Sequence, residues 1–159
     1  MSIIENYNNE LYHYGVKGMK WGVRRAKRYV DNSITKANRK IDSAKKGRLR
    51  ADKDLEDLKK NGIKSEPMKR LYGIDEKGTL PGKEYWKDLG TTPKKEVAAM
   101  IVDTNYTKKA YEGVERVYQK GKEYLQSVDT SSMSVKEIRS NYKDVIRQGK
   151  KQVSSWVYA

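Results

Sequence analysis

The sequence predicts an all-α protein of three or four helices, with a long basic N-terminal helix and helical-hairpin or coiled-coil packing. Apolar residues recur at three- and four-residue spacing over two long stretches, which is the period of an amphipathic helix. Five of the 12 glycines lie between these stretches, in residues 61–92. Only 36% of the 159 residues are hydrophobic and 35% are charged. The core is therefore thin, and extended helices suit it better than a compact globule.

Residues 1–22 form the first predicted segment. It contains most of the unusual stretch Tyr12–Arg25, YHYGVKGMKWGVRR. A glycine-rich loop before a helix can cradle an anion, but basic residues crowd this helix end. The alternative, which residue types alone favour, is a structural clasp with Trp21 buried against the helices and glycines forming turns around it. His13 suits packing or a hydrogen bond better than a metal site, which needs several ligands.

Residues 23–60 are predicted to form one long amphipathic helix. One seven-residue series runs Val23, Val30, Ala37, Ala44, Ala51, Leu58. A second series runs Ile34, Ile41, Arg48, Leu55. The two series form a heptad stripe whose alanines would let a partner helix come close. Gly47 lies off this stripe and weakens the helix by roughly 1 kcal/mol relative to alanine, so an interruption is possible there.

Residues 61–92 read as an irregular connector, with short helices near Pro67–Tyr72 and Lys83–Leu89. It either wraps over the helices or serves as a linker. The anchors for wrapping would be Leu80, Tyr85, Trp86, Leu89.

Residues 93–159 form the C-terminal helical region. Thr92 can cap its first helix, with Pro93 at the first helical position. Polar Thr104 and Lys108 fall on the apolar face and predict a kink or break at DTNYTKK. Ser134 and Glu137 match a capping box that would begin the last helix.

Positive charge is concentrated near the N-terminus. Of the net charge of +14, most comes from Lys17–Lys53, which holds 14 basic and 3 acidic residues. Such a helix could neutralise phosphates without reading sequence, although a solvated face explains the pattern about as well. The candidate polyanion-binding residues are Arg24, Arg25, Lys27, Arg28, Lys36, Arg39, Lys40, Lys45, Lys46, Arg48, Arg50.

The sequence does not favour an enzyme. It has no cysteine and one histidine, and it contains no phosphate-binding loop, dinucleotide fingerprint or hydrolase motif. We therefore expect no catalytic residues, no cofactor and no metal site. We also expect no secretory signal and no membrane span, because no stretch approaches the length of apolar chain that a span needs.

Residues 12–25 resemble a short motif, H-[HY]-G-[IV]-K-G-x-K-W-G-[IV]-R, of proteins from tailed bacteriophages and prophages of Firmicutes and gut bacteria. The matching residues are His13, Gly15, Lys17, Gly18, Lys20, Trp21, Gly22, Arg24. The resemblance implies a phage-encoded protein of the virion or its assembly, located in the virion or in the host cytoplasm during infection.

This resemblance shifts the preferred interpretation of residues 12–25 from a clasp to a docking element. The implied partner is a capsid or portal protein, with nucleic acid beside the basic helix. The alternative is a phage accessory protein that inhibits a host system or binds nucleic acid nonspecifically. The alanine-rich stripe could also pair two copies of the chain.

Overall fold

The computed structural model describes residues 21–73 and 81–157, which contain five α-helices and no β-strand. The helices are α1 (Trp21–Asn61), α2 (Glu66–Tyr72), α3 (Lys83–Leu89), α4 (Pro93–Ser127) and α5 (Val135–Val157), with a 3-10 turn at Gly62–Lys64. The all-α prediction is confirmed. The number of helices exceeds the three or four predicted because α2 and α3 are separate helices within the predicted connector.

Helix α1 is continuous, and no interruption occurs at Gly47. The seven-residue series from Val30 to Leu58 is buried as predicted, but the second series is shifted. Ile34, Ile41 and Arg48 are only half-buried, whereas Ser33 and Gly47 are buried. The prediction that Gly47 lies off the packed stripe was therefore wrong. The stripe was predicted from apolar residues alone, so it omitted the two packed positions that carry a serine and a glycine.

The chain divides into two compact units. Among the described residues, unit 1 comprises 21–42 and 114–157, and unit 2 comprises 43–73 and 81–113. The core of unit 1 contains Ala26 and Val30 from α1, Leu125 from α4 and Ile138 from α5. Each helix therefore contributes one apolar side to a three-helix core, which buries the faces that none of them could bury alone.

Within unit 1, α4 and α5 form a helical hairpin. Gly149 of α5 lies against Val117, and Gly121 of α4 lies against Tyr142 and Ile146. The last helix begins with the predicted capping box: the Glu137 N–H donates to Ser134 Oγ at 3.2 Å, and the Ser134 N–H donates to Glu137 Oε1 at 3.1 Å. These paired bonds satisfy backbone donors at the start of α5.

Within unit 2, the second half of α1 packs antiparallel to the first half of α4. Gly47 lies against the Tyr111 ring, and Lys108 Nζ is 2.8 Å from Asp52 Oδ1. Of the predicted connector anchors, Trp86 is buried and its indole N–H donates to the Pro81 carbonyl at 3.1 Å. The Tyr85 and Leu89 side chains are exposed, and Leu80 lies outside the described residues.

Helix α4 is continuous through the segment where a break was predicted. Thr92 caps its start, because the Lys95 N–H donates to Thr92 Oγ1 at 3.2 Å. The two polar residues that suggested the break have partners: Thr104 Oγ1 donates to the Met100 carbonyl at 2.7 Å, and Lys108 pairs with Asp52. Both partners are compatible with helical backbone, so polar residues on this face do not interrupt it.

Candidate polyanion-binding surface

The end of the motif-bearing segment, residues 12–25, lies at the start of α1. Trp21 is 51% exposed, and the Arg24 guanidinium lies 5.4 Å from the centre of its ring. A clasp with Trp21 buried against the helices is therefore not observed. Five predicted motif residues lie outside the described residues, namely His13, Gly15, Lys17, Gly18, Lys20.

The motif end also borders a cavity of about 500 Å³ in unit 1. Gly22, Val23 and Arg25 line one side, and residues 130–136, from the turn before α5 and its first residues, line the other.

The first half of α1 carries the densest part of the predicted polyanion surface. Trp21–Asp42 contains seven basic and two acidic side chains. Six of the seven cations are exposed: Arg25, Lys27, Arg28, Lys36, Arg39, Lys40. None of these six forms an ion pair with another side chain in the described part of the chain. Their charges therefore face solvent uncompensated by a contacting carboxylate.

The four predicted cations in unit 2 behave differently from one another. Lys45, Lys46 and Arg50 are exposed, whereas Arg48 is half-buried with Nη1 4.0 Å from Asp52 Oδ2. Asp52 also accepts from Lys108, and this hydrogen bond, with the carboxylate charge, raises the pKa of Lys108. Arg48 thus belongs to an ion-pair cluster that helps to join α1 and α4.

A groove on α4 and α5 of unit 1 provides a second basic surface, which we call the tyrosine groove. Its volume is about 600 Å³. Half-buried Tyr118, Tyr142 and Ile146 form its apolar part. Its exposed rim contains Lys143, Arg147, Lys150, Lys151, Ser154. No carboxylate lines the groove, although Asp144 pairs with Arg147 beside it.

Two cations of unit 1 lie near tyrosine rings of a neighbouring helix. Lys40 Nζ of α1 is 6.0 Å from the Tyr118 ring centre, and the Arg139 guanidinium is 5.2 Å from the Tyr29 ring centre. Burial raises the pKa of the Tyr142 hydroxyl, and the neighbouring Tyr118 and Tyr29 hydroxyls raise it further. Tyr142 therefore remains a neutral hydrogen-bond donor at physiological pH.

The tyrosine groove was not predicted from the sequence. The basic excess of α1 was more conspicuous, although α5 alone holds six basic and two acidic residues. Lys143, Arg147, Lys150 and Lys151 recur at helical spacing, which would have placed them on one side of α5. Their convergence with Tyr118 could not be deduced, because it depends on how α4 and α5 pack.

Neither a metal site nor a membrane span is visible in the described part of the chain. No group of three or more histidine, cysteine, aspartate or glutamate side chains there could hold a metal ion. None of the described helices is both long and apolar enough to cross a bilayer.

Comparison with known proteins gives one match, over residues 4–28, to a family of unknown function (DUF7211). The matched segment includes all of residues 12–25 and the first turns of α1. No curated protein and no solved structure shows significant similarity to the chain.

Proposed function

We propose that this chain is a bacteriophage structural or packaged virion protein that docks on a capsid or portal protein through residues 12–25. The resemblance of this segment to a phage motif supports the proposal. The segment also lies within the match, over residues 4–28, to a family of unknown function. The half-exposed Trp21 offers the kind of aromatic anchor that protein interfaces use.

In this proposal the basic surface of unit 1 contacts nucleic acid. The observation that carries this step is the set of six exposed α1 cations without ion pairs in the described structure. A solvated helix face normally carries both signs of charge, whereas this one presents mainly cations. Contact with phosphates releases condensed counterions and so gives binding that weakens steeply with salt.

The alternative is a phage accessory protein that acts in the infected cell, as a nonspecific nucleic-acid binder or as an inhibitor of a host system. The same basic surface supports it. The two proposals differ in whether the chain is packaged into particles.

Packaging is tested by deleting residues 12–25 and quantifying the protein in purified particles by mass spectrometry. Deletion of residues 1–11 is the control, because it shortens the same end and leaves the motif intact. We expect only the first deletion to abolish incorporation. Equal incorporation of both variants would contradict docking through the motif, and absence of the wild-type protein from particles would favour the accessory role.

Nucleic-acid contact is tested separately with the purified chain and duplex DNA in mobility-shift titrations at low and physiological salt. We expect affinity to fall steeply as salt rises. Affinity that did not change with salt would contradict an electrostatic contact.

A further inference from the structure

We infer that the tyrosine groove of unit 1 is a binding site for single-stranded nucleic acid, an inference that rests on the proposed nucleic-acid contact and specifies its ligand. Nothing in the sequence motif points to this groove. Its own geometry and chemistry carry the inference.

The groove has the size and composition of a ligand site. Its volume of about 600 Å³ lies within the roughly 300–1,000 Å³ usual for small-molecule pockets. A half-buried apolar part made by Tyr118, Tyr142 and Ile146 faces an exposed basic rim. A fitting ligand therefore combines flat apolar groups with negative charge.

The basic rim is long enough to follow a phosphate backbone. Lys143 and Lys151 lie eight residues apart on α5, which corresponds to about 12 Å along a helix. The rim can therefore contact more than one phosphate of the same strand. Lys40 extends the positive charge across the Tyr118 ring from α1.

The tyrosines make the groove selective for unpaired bases. Aromatic side chains bind single strands because every exposed base has a face that can stack on a ring. In a duplex the base faces are covered by their neighbours, so only its phosphates would be recognised. The neutral Tyr142 hydroxyl can also donate a hydrogen bond to a phosphate oxygen.

The exposed cations of α1 lack this combination of features. Arg28 and Arg39 lie eleven residues apart, about three turns, and so share one side of the helix. They can contact the phosphates of either a single strand or a duplex. The two surfaces therefore predict different responses to the same probes.

Fluorescence anisotropy with labelled oligothymidine and a duplex, each about 12 nucleotides long, separates these responses, because a single-strand site covers roughly 4–16 nucleotides. We expect Tyr118→Leu to weaken oligothymidine binding at least about fivefold, the lower limit for losing one stacked base, with duplex affinity nearly unchanged.

A second variant, Lys150→Gln with Lys151→Gln, tests the rim without disturbing packed residues, because both side chains are exposed. We expect it to weaken oligothymidine binding and to lower the salt slope by about 0.7 for each lost contact. The matched control, Lys27→Gln with Arg28→Gln, removes the same charge outside the groove and should weaken both probes alike. Circular dichroism verifies the helical content of each variant.

The outcomes distinguish the inference from the proposed function. If the wild-type chain bound neither probe, nucleic-acid contact itself would be overturned. If it bound both but Tyr118→Leu weakened oligothymidine no more selectively than the control variant, only the groove assignment would be overturned. Displacement of oligothymidine by oligoglutamate of equal charge, as effectively as by unlabelled oligothymidine, would also overturn it, because charge alone would then explain binding.

Discussion

Gly47 shows how one small residue determines helix contact in unit 2. A Cβ atom at this position would lie 2.4 Å from Tyr111 Cζ and 2.5 Å from Tyr111 Cε1. The ring therefore occupies the space that any other residue would need. Glycine lowers intrinsic helix stability, but here it allows an aromatic ring to pack directly on the α1 backbone.

We predict that Gly47→Ala lowers the free energy of unfolding. Overpacking typically costs about 1–3 kcal/mol, and better helix propensity stabilises the helix by roughly 1 kcal/mol, which leaves a net loss of up to about 2 kcal/mol. Urea unfolding followed by circular dichroism measures the change. Gly22→Ala on the same helix is the control: it meets no atom within 4 Å and should be neutral or stabilising. A stability of Gly47→Ala above that of the wild type would show that Tyr111 moves aside at no cost.

Tyr72 is a second residue whose environment has a measurable consequence. Its hydroxyl donates to Glu96 Oε1 at 2.5 Å, and its ring packs edge-on against Trp86 with centres 5.0 Å apart. Burial, followed by the hydrogen bond and charge of Glu96, raises the pKa of Tyr72 from 10.0 to about 12. The contact links α2 to the start of α4 within unit 2.

The raised pKa of Tyr72 predicts a specific loss of stability at alkaline pH. As the pH rises, the hydroxyl ionises first in the unfolded chain, so the stabilisation is complete below pH 10 and is lost between about 10 and 12. We expect Tyr72→Phe to reduce this loss, as measured by thermal unfolding at several pH values. Tyr85→Phe is the control, since it removes a neighbouring exposed hydroxyl. Identical pH profiles for wild type and Tyr72→Phe would contradict the assignment.

At the scale of the elements, the start of α5 depends on a local signal. The capping box of Ser134 and Glu137 is formed as the sequence predicted. Asp129, five residues earlier, accepts from the Ser131 N–H at 3.0 Å, and hydrogen bonds from Ser131 and Ser132 lower its pKa. The turn and the cap together direct the chain from α4 into α5.

We predict that Ser134→Ala lowers the free energy of unfolding by about 1 kcal/mol, the usual cost of removing a cap. Ser155→Ala, an exposed position late in α5, should have no effect or a small stabilising one because alanine is the better helix former. Urea unfolding of both variants measures the difference. A cost equal for the two serines would mean that the cap does not limit the stability of α5.

The elements that the sequence predicted correctly depend on local rules, and the errors come from packing. Helix periodicity and the caps at Thr92 and Ser134 involve residues close in the chain, so the pattern alone suffices. The predicted break near Lys108 does not occur, because that lysine pairs with Asp52, which is more than fifty residues away in the chain. Gly47 was misplaced because Tyr111 approaches it, which only the packed structure reveals.

At the scale of the whole molecule, the position of the charge matters more than its total. Net charge of +14 attracts any polyanion at low salt. The six exposed cations between Trp21 and Asp42 instead provide a defined set without ion pairs among the described residues. Removing them should change the number of phosphate contacts, whereas removing distant cations should change only the long-range attraction.

We therefore predict unequal effects for two variants that each lose four positive charges. Replacing Arg25, Lys27, Arg28 and Arg39 with glutamine should lower the salt slope for duplex DNA by about 0.9 for each lost contact. Replacing exposed Lys53, Lys59, Lys60 and Lys64 of unit 2 is the control, and it should leave the slope nearly unchanged. Titrations at several salt concentrations measure both slopes. Equal slopes for the two variants would indicate attraction by net charge without a defined surface.

The candidate site could be predicted from the sequence only in part. Exposed cations such as Arg28 and Arg39 were identified because the basic excess of residues 17–53 can be counted from the sequence. Tyr118 and Lys150 were missed because their helices meet only after folding. The partner of residues 12–25 remains a proposal that depends on the motif.

The contact between Gly47 and Tyr111 also fixes the alignment, within unit 2, of the second half of the repetitive helix α1 against the first half of α4. Ala37, Ala44 and Ala51 recur every seven residues, so this series alone would fit a partner equally well after a slip of one heptad. Only one such alignment gives the Tyr111 ring a position without a side chain, because the residues seven places from Gly47 are Lys40 and Asp54. Gly47 thus selects a single axial register of α1 against α4 within unit 2.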